Sequence, residues 1–218
     1  HIDETESLME KTEELKKGLM QRLLTKGIGH TKYKKTEVGE IPMEWEVNKL
    51  GDVFRVSSGN FLSQKSIITG QYPVYGGNGI SGYHNEFLFK DSKIVIGRVG
   101  EKCGCICISK PKSWITDNAL FIKEKLVQFS DIFMLYLLNY INLNKYANQS
   151  AQPVISGQKI YEIKVGIPKL DEQKQIATVL SSVDEQINQY EFQEENLKQL
   201  KNGLMQELLT GKLRVSIK

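Results

Sequence analysis

Residues 15–25 read LKKGLMQRLLT, and residues 200–210 read LKNGLMQELLT. Nine of these eleven positions are identical at an offset of 185, in a chain of 218 residues, so the sequence carries a duplicated element. Upstream, Ile2-Asp3-Glu4 matches Val183-Asp184-Glu185 in kind at an offset of 181, which makes the second copy four residues longer, about one helical turn. Both copies have helical spacing. In the second, Pro168 ends what precedes, Asp171 is the expected N-cap and Glu172 lies in the first turn. Its apolar positions are Ile176, Leu180, Val183, Ile187, Tyr190, Leu197, Leu204 and Leu208, and the opening spacings of 4, 3, 4 and 3 are those of a heptad seam. Glu194 and Lys201 take seam positions, Leu200 marks a phase slip, and Gly211 is the expected cap. Asp171–Thr210 spans 40 residues, about 60 Å of helix. The first copy sets Leu8, Leu15, Leu19 and Leu23 on one stripe and stops near Gly27. Length, heptads and duplication together predict a helix–helix seam, where an ordinary amphipathic helix would pack on its own domain.

Between these arms the composition changes. Thr31–Lys169 is rich in Gly, Ser, Asn, Tyr and β-branched residues. Ser92–Gly97, Cys103–Ile108 and Ala119–Ile122 are short strand candidates separated by glycines, and Ser130–Leu143 reads as one buried helix. The expected class is α+β: one mixed α/β domain over residues 28–169, between a helix in 1–27 and a long helix in 170–218 that pair in an antiparallel, coiled-coil-like manner.

Charge divides along the same lines. Residues 31–170 hold 18 Lys+Arg against 12 Asp+Glu, while the two flanks together hold 11 against 14. A basic body between acidic-leaning arms suits a polyanionic partner without demanding one. No window approaches the roughly 18 apolar residues of a membrane span, and the acidic start is unlike a signal peptide. Three cysteines make no disulfide framework, so a cytoplasmic setting is expected. The chain begins at His1 and not at Met, which reads as processing or as a piece of something longer.

Motifs of catalysis are scarce: the sequence has no HExxH, GxSxG or Walker A. Gly77–Gly82 matches GxGxxG formally, but no helix opens after it to receive phosphates, so a flexible loop for close approach is expected there. Its rim of Tyr75, Asn78, Ser81 and Tyr83 offers hydrogen-bonding groups and stacking surfaces. Cys103, Cys105 and Cys107 alternate and would share one strand face, which predicts an apolar face and no metal site. Asp117-Asn118 reads as structural hydrogen bonding. Basic residues of the body include Lys65, Lys90, Lys93, Arg98, Lys102, Lys110 and Lys112. Arg98 lies between Gly97 and Val99-Gly100, where glycine leaves room for a backbone or a ligand. Arginine grips guanine with two hydrogen bonds, lysine more often holds phosphate, and Gln reads adenine. The amide-rich stretch 149–159 adds Gln152, Ser156, Gln158 and Lys159 to the candidate DNA-contact set.

Taken in order, these segments resemble a known family. They are Ile41-Pro42-Met43-Glu44-Trp45-Glu46-Val47, Leu50-Gly51-Asp52, Tyr72–Tyr83, Ile96-Gly97-Arg98-Val99-Gly100, Trp114–Ala119, Ile167–Ile176 and the repeated Gly-Leu-Met-Gln-x-Leu-Leu-Thr helix ends. Their arrangement is similar to the DNA-specificity subunit of type I restriction-modification systems, over nearly the whole chain. The resemblance implies a target-recognition domain that reads one half of a split sequence in double-stranded DNA. It implies helices that set the gap between halves and dock methyltransferase subunits, with restriction subunits able to join. The chemistry belongs to those partners. S-adenosylmethionine, ATP and Mg are expected on them and no cofactor on this chain, which is expected to be no enzyme itself. The departure is size: one recognition domain with a helix on each side is half the family pattern.

Two copies joined through residues 171–210 and the first helix would restore the full arrangement as a homodimer and read an interrupted palindrome. The expected partner-facing residues are Leu15, Leu19, Leu23, Ile176, Leu180, Val183, Ile187, Tyr190, Leu197, Leu204 and Leu208. Four added helix residues, about 6 Å, would then widen the gap by about two base pairs. The rival readings are a recognition fragment of a fused restriction-methylation enzyme and a helical protein adaptor that binds no DNA.

Overall fold

The computed structural model describes residues 1–67, 70–148 and 153–210. The chain divides into two compact units, Arg22–Ala177 and a second made of His1–Gln21 with the chain from Thr178 onward. Each division falls inside a helix, α1 (Ile2–Lys26) or α5 (Leu170–Leu209).

The larger unit is built on short strands. A hairpin of β1 (Tyr33–Thr36) and β2 (Gly39–Pro42) comes first, and β3 (Glu46–Lys49) pairs antiparallel with the late strand β11 (Lys164–Ile167). The central antiparallel sheet takes β4 (Phe54–Ser58), β10 (Ala119–Lys125), β7 (Ile94–Gly97) and β8 (Ile106–Ile108) in that spatial order. A smaller sheet sets β5 (Tyr72–Gly76) between β6 (Gly79–His84) and the parallel two-residue β9 (Trp114–Ile115). Tyr75 and Ile115 of the small sheet and Val95, Ala119 and Phe121 of the central one form a shared apolar cluster. Glycine lets these sheets touch: a Cβ on Gly97 would lie 2.2 Å from the Gly77 carbonyl oxygen.

Three helices close this unit: α2 (Leu50–Val53), α3 (Asp131–Ile141) and α4 (Gly157–Tyr161). Ser130 caps α3, its hydroxyl accepting from the Phe133 amide, and Asn142 in the left-handed region (φ 58°) ends it. Phe133, Met134, Leu138, Leu143, Ile155 and Ile160 are fully buried. The helix predicted over Ser130–Leu143 is thus α3, followed by a 3-10 turn at Leu143–Tyr146. The expected cysteine strand is shorter than its alternation suggests. Only Cys107 lies on β8, because residues 101–104 are a turn in which Gly104 has φ +84°. α5 begins at Leu170, which puts Asp171 inside the first turn and not at the cap.

The clearest joint of the larger unit is Glu172. Its Oε1 accepts from the Ile28 amide (3.0 Å) and lies 2.9 Å from His30 Nε2, and its Oε2 accepts from Trp45 Nε1 (3.0 Å). Gly27, at φ +66°, is what allows α1 to end there, since a Cβ would stand 2.3 Å from Glu172 Oε1. The neighbouring Gln173 is buried too, accepting from the Ser130 amide and donating to the Pro168 carbonyl. One turn of α5 thereby fastens the end of α1, Trp45 and the start of α3.

In the smaller unit α1 and α5 run antiparallel, as the ion pairs Lys16–Asp184 and Lys198–Glu6 require. Leu180, Val183 and Ile187 are buried, and Tyr190, Glu194 and Leu197 half-buried, so the heptad positions of α5 face a seam. Glu194 is accommodated by Lys198, which holds its carboxyl below the usual range, and by Glu6. The α1 stripe differs from expectation. Within His1–Gln21 Thr5 and Thr12 are buried, whereas Leu8 and Leu15 are 42% and 54% exposed and Leu19 is half-buried; Leu23, the last member of the expected stripe, is buried. Each threonine hydroxyl donates to the carbonyl four residues back, His1 and Leu8 respectively, so its polarity is satisfied locally and its methyl can pack. At the far end of α5, Leu200, Leu204, Met205, Leu208 and Leu209 are exposed. Gly211 lies outside the described residues. Among the described residues no helix is long and apolar enough to cross a membrane.

Candidate nucleic-acid interface

The central sheet has two ends, and the predicted residues divide between them. At one end β7 runs out into Arg98. Its amide donates to the Asn118 carbonyl, its carbonyl accepts from the Ile155 amide, and its guanidinium lies 3.5 Å from Ser58 Oγ. No carboxylate lies within ion-pair distance of Arg98 among the described residues, so its donors remain available. Asn78 is exposed at the two-residue turn between β5 and β6, beside this end, because Gly77 packs on Gly97 and against the Asn118 carbonyl. The glycine loop is therefore a hairpin turn whose glycines serve backbone packing, in place of the expected flexible loop. The space beside Arg98 is filled by the chain's own backbone.

Other predicted residues fall around this end or apart from it. Gln158 and Lys159 are exposed on α4, whose N-cap Ser156 uses its hydroxyl to accept from the Lys159 amide (3.4 Å). Lys102 is exposed in the turn after Arg98. Lys65 is exposed on the 3-10 turn Gln64–Ser66, with Ser81 and Tyr83 exposed on β6. Ile67 and His84 tie that turn to the hairpin: Ile67 fills the space over Gly82, and His84 Nδ1 is 2.8 Å from the Ser66 carbonyl. Gln152 lies outside the described residues.

Tyr75 leaves the contact set. It is 4% exposed, its ring belongs to the apolar cluster, and its hydroxyl accepts from the Lys110 amide. Burial pushes its pKa up, a shift the Lys110 hydrogen bond opposes. Tyr72–Gly76 has no apolar–polar alternation to reveal which aromatic faces inward, and the pairing of Tyr75 with Ile115 of β9 decides it.

Residues beyond the predicted set also reach this surface. Ser57 and Ser58 end β4, Asn118 is exposed, and Phe61 is 74% exposed on a loop held by three bonds. Those bonds run from the Gly59 amide to the Ala119 carbonyl, from the Asn60 amide to the Ile115 carbonyl, and from Trp114 Nε1 to the Asn60 carbonyl. The run Ser57-Ser58-Gly59-Asn60-Phe61, polar and turn-prone with one aromatic, was the available signal.

Lys110 and Lys112 sit at the opposite end of the sheet, beyond Ser109, together with Lys90 and Lys93. Among the described residues no group of three or more His, Cys, Asp and Glu could hold a metal ion. Burial pushes the Cys107 thiol up to about 11, with Cys105 adding to the shift. The fold therefore favours the neutral thiol. The stability this contributes is complete below about pH 8.5 and is lost as pH rises through about 11. Cys107→Ala is expected to flatten the alkaline fall of stability between those values, measured by urea denaturation; an unaltered fall would place its origin elsewhere.

Comparison with known proteins follows the same lines. Residues 42–201 match the type I restriction modification DNA specificity domain. The EcoprrI specificity subunit of Escherichia coli is 31% identical over 150 residues, which is 66% of this chain and 37% of that protein. The MjaVIII specificity subunit of Methanocaldococcus jannaschii is 29% identical over 92% of this chain and 54% of its own length. The chain thus spans about half the length of the curated relatives it matches. In fold it is similar to the S subunit of a type I system from M. genitalium, with a TM-score of 0.69 at 19% identity over 95% of this chain and 56% of that one. With the strand pattern, the paired helices and a family match over well more than half its residues, the chain belongs to the type I restriction-modification DNA specificity family.

Proposed function

We propose that this chain reads one half of a bipartite DNA sequence, and that two copies joined through their helices read the whole as an interrupted palindrome. Arg98, Asn78, Asn118 and Gln158 supply the donor and acceptor types that distinguish base edges. The chain's part is recognition, in the cytoplasm. Methyl transfer and cleavage fall to methyltransferase and restriction subunits docked on the helices, which carry S-adenosylmethionine, ATP and Mg.

The observation that supports the pairing of two copies is the exposed apolar residues of the smaller unit: Leu8 and Leu15 on α1 and, further along, Leu204, Met205 and Leu208 at the end of α5. These residues repeat on every copy, as a closed twofold contact requires. The duplicated Gly-Leu-Met-Gln-x-Leu-Leu-Thr is covered in the first copy, where Leu23 and Leu24 are buried, and exposed in the second, which leaves the α5 end free for a partner.

Selection of bound duplexes from a random pool, with and without a methyltransferase partner, tests the reading. An interrupted palindrome is the expected result. A single asymmetric half-site would keep recognition and remove the twofold pairing. No enriched motif in either condition would favour the protein adaptor.

A further inference from the structure

The end of the central sheet opposite Arg98 carries a cluster of lysines that base reading does not use. Two loops meet there, residues 88–93 before β7 and residues 109–113 after β8. They are laced together by Lys112 N to Lys90 O (3.1 Å), Ser109 N to Lys93 O (2.8 Å), Lys93 N to Ser109 Oγ (2.9 Å) and Ser113 N to Phe89 O (3.0 Å). The Lys110 amide is fixed in turn by the buried Tyr75 hydroxyl. Four lysines, Lys90, Lys93, Lys110 and Lys112, thus project from a rigid double loop in which Asp91 is the one acidic residue.

Two observations mark this cluster as more than solvated surface. None of the four is in an ion pair with a carboxylate among the described residues. On other edges Lys26, Lys49 and Lys164 each pair with one, and at this same end Lys125 of β10 pairs with Asp131. The second is backbone strain. Lys112 has φ +54°, one of two described non-glycine residues in the left-handed region. It follows Pro111 in a turn, where glycine would sit without strain. A lysine held in that conformation is supported by its surroundings, and such positions gather at functional sites.

We infer that these four lysines form a phosphate clamp, which grips the DNA backbone without regard to sequence while the Arg98 end reads bases. The inference rests on the DNA-recognition reading. Lys93 and Arg98 flank β7, five residues apart, so the two ends stand about 16 Å apart. That equals about five phosphate steps along one strand of a duplex, so one bound DNA can meet both.

The test is fluorescence anisotropy of the full chain on a random-sequence 30-base-pair duplex, from 50 to 200 mM salt. For the fourfold variant Lys90→Gln, Lys93→Gln, Lys110→Gln, Lys112→Gln, the slope of log affinity against log salt is expected to shrink by about three to four units. Arg98→Ala is expected to change that slope by at most about one unit and to alter which sequences are enriched. Lys112→Gly alone separates folding from binding: it should raise the melting temperature by relieving the strain, yet lower the slope by about one unit. If the parent chain binds with a steep slope and the fourfold variant keeps it, the clamp is wrong and DNA recognition stands. If the parent chain shows no salt-dependent binding at all, the recognition reading fails and the clamp with it.

Discussion

Glu172→Ala is expected to destabilise the larger unit by about 2–4 kcal/mol, as much as truncating a fully buried apolar side chain. The carboxylate is the common acceptor for three donors far apart in sequence, at Ile28, His30 and Trp45. Its side chain is 16% exposed, and Trp45 is only 1% exposed. The alanine variant leaves the indole N–H facing a void that water reaches poorly. The Ile28 amide, nearer the surface, finds solvent and adds little. In a domain of this size, 3 kcal/mol lowers the melting temperature by about 6–12 °C, readily seen by circular dichroism. Glu172→Gln should fall between, because one amide oxygen can still serve His30 and Ile28 while the amide nitrogen confronts the indole N–H. Gly27→Ala should interact with the same site: part of its cost is the steric conflict with Glu172 Oε1, and that part vanishes in the Glu172→Ala background. Additive behaviour of the two substitutions would show that the carboxylate and the helix end are independent.

The second large effect concerns assembly. Leu8→Glu combined with Leu15→Glu is expected to abolish association of two chains while leaving each chain folded. Both leucines are about half exposed, so the folded chain loses less apolar contact than it would at a fully buried position. In a twofold complex the pair of substitutions places four carboxylates in an apolar contact. At on the order of 1 kcal/mol or more each, that weakens association about a thousandfold. Sedimentation would then show a monomer across micromolar concentrations, and the selected DNA would shrink from an interrupted palindrome to one half-site. The contrasting pair, Leu180→Glu with Ile187→Glu, strikes buried residues of the intrachain seam and should cost helicity as well. A Leu8→Glu, Leu15→Glu chain that still sediments as a dimer would move the contact to another face.

The paired helices, the main buried helix and the family were legible in the sequence because each rests on local periodicity or on contiguous motifs. The heptad positions Leu180, Val183 and Ile187 are buried as their spacing demands. What escaped depended on partners distant in the chain. Hydrophobicity ranks Leu8 and Leu15 above Thr5 and Thr12 for a seam. The threonines win because a back-bonded hydroxyl costs little to bury, while the leucines, three residues further on, sit toward the edge of the same helix face. Tyr75 looked like a loop aromatic and became core once β9 paired beside it. Glu172 looked like an ordinary first-turn acid. Its role follows from contacts 127 to 144 residues away, which no local pattern encodes. Of the contact set, side-chain types were readable from sequence, but their division between the two ends of one sheet was not.

The joint at Glu172 has a consequence for inheritance. The segment between Gly27 and Glu172 leaves one helix and returns to another at a single carboxylate, so its two chain ends are neighbours. A segment with adjacent ends can be swapped for a foreign one as a cassette, provided the newcomer brings an indole and a histidine to the same acid. On the proposed DNA-recognition reading, exchange of the whole insert would change the sequence read, while the helices around it stay as they are.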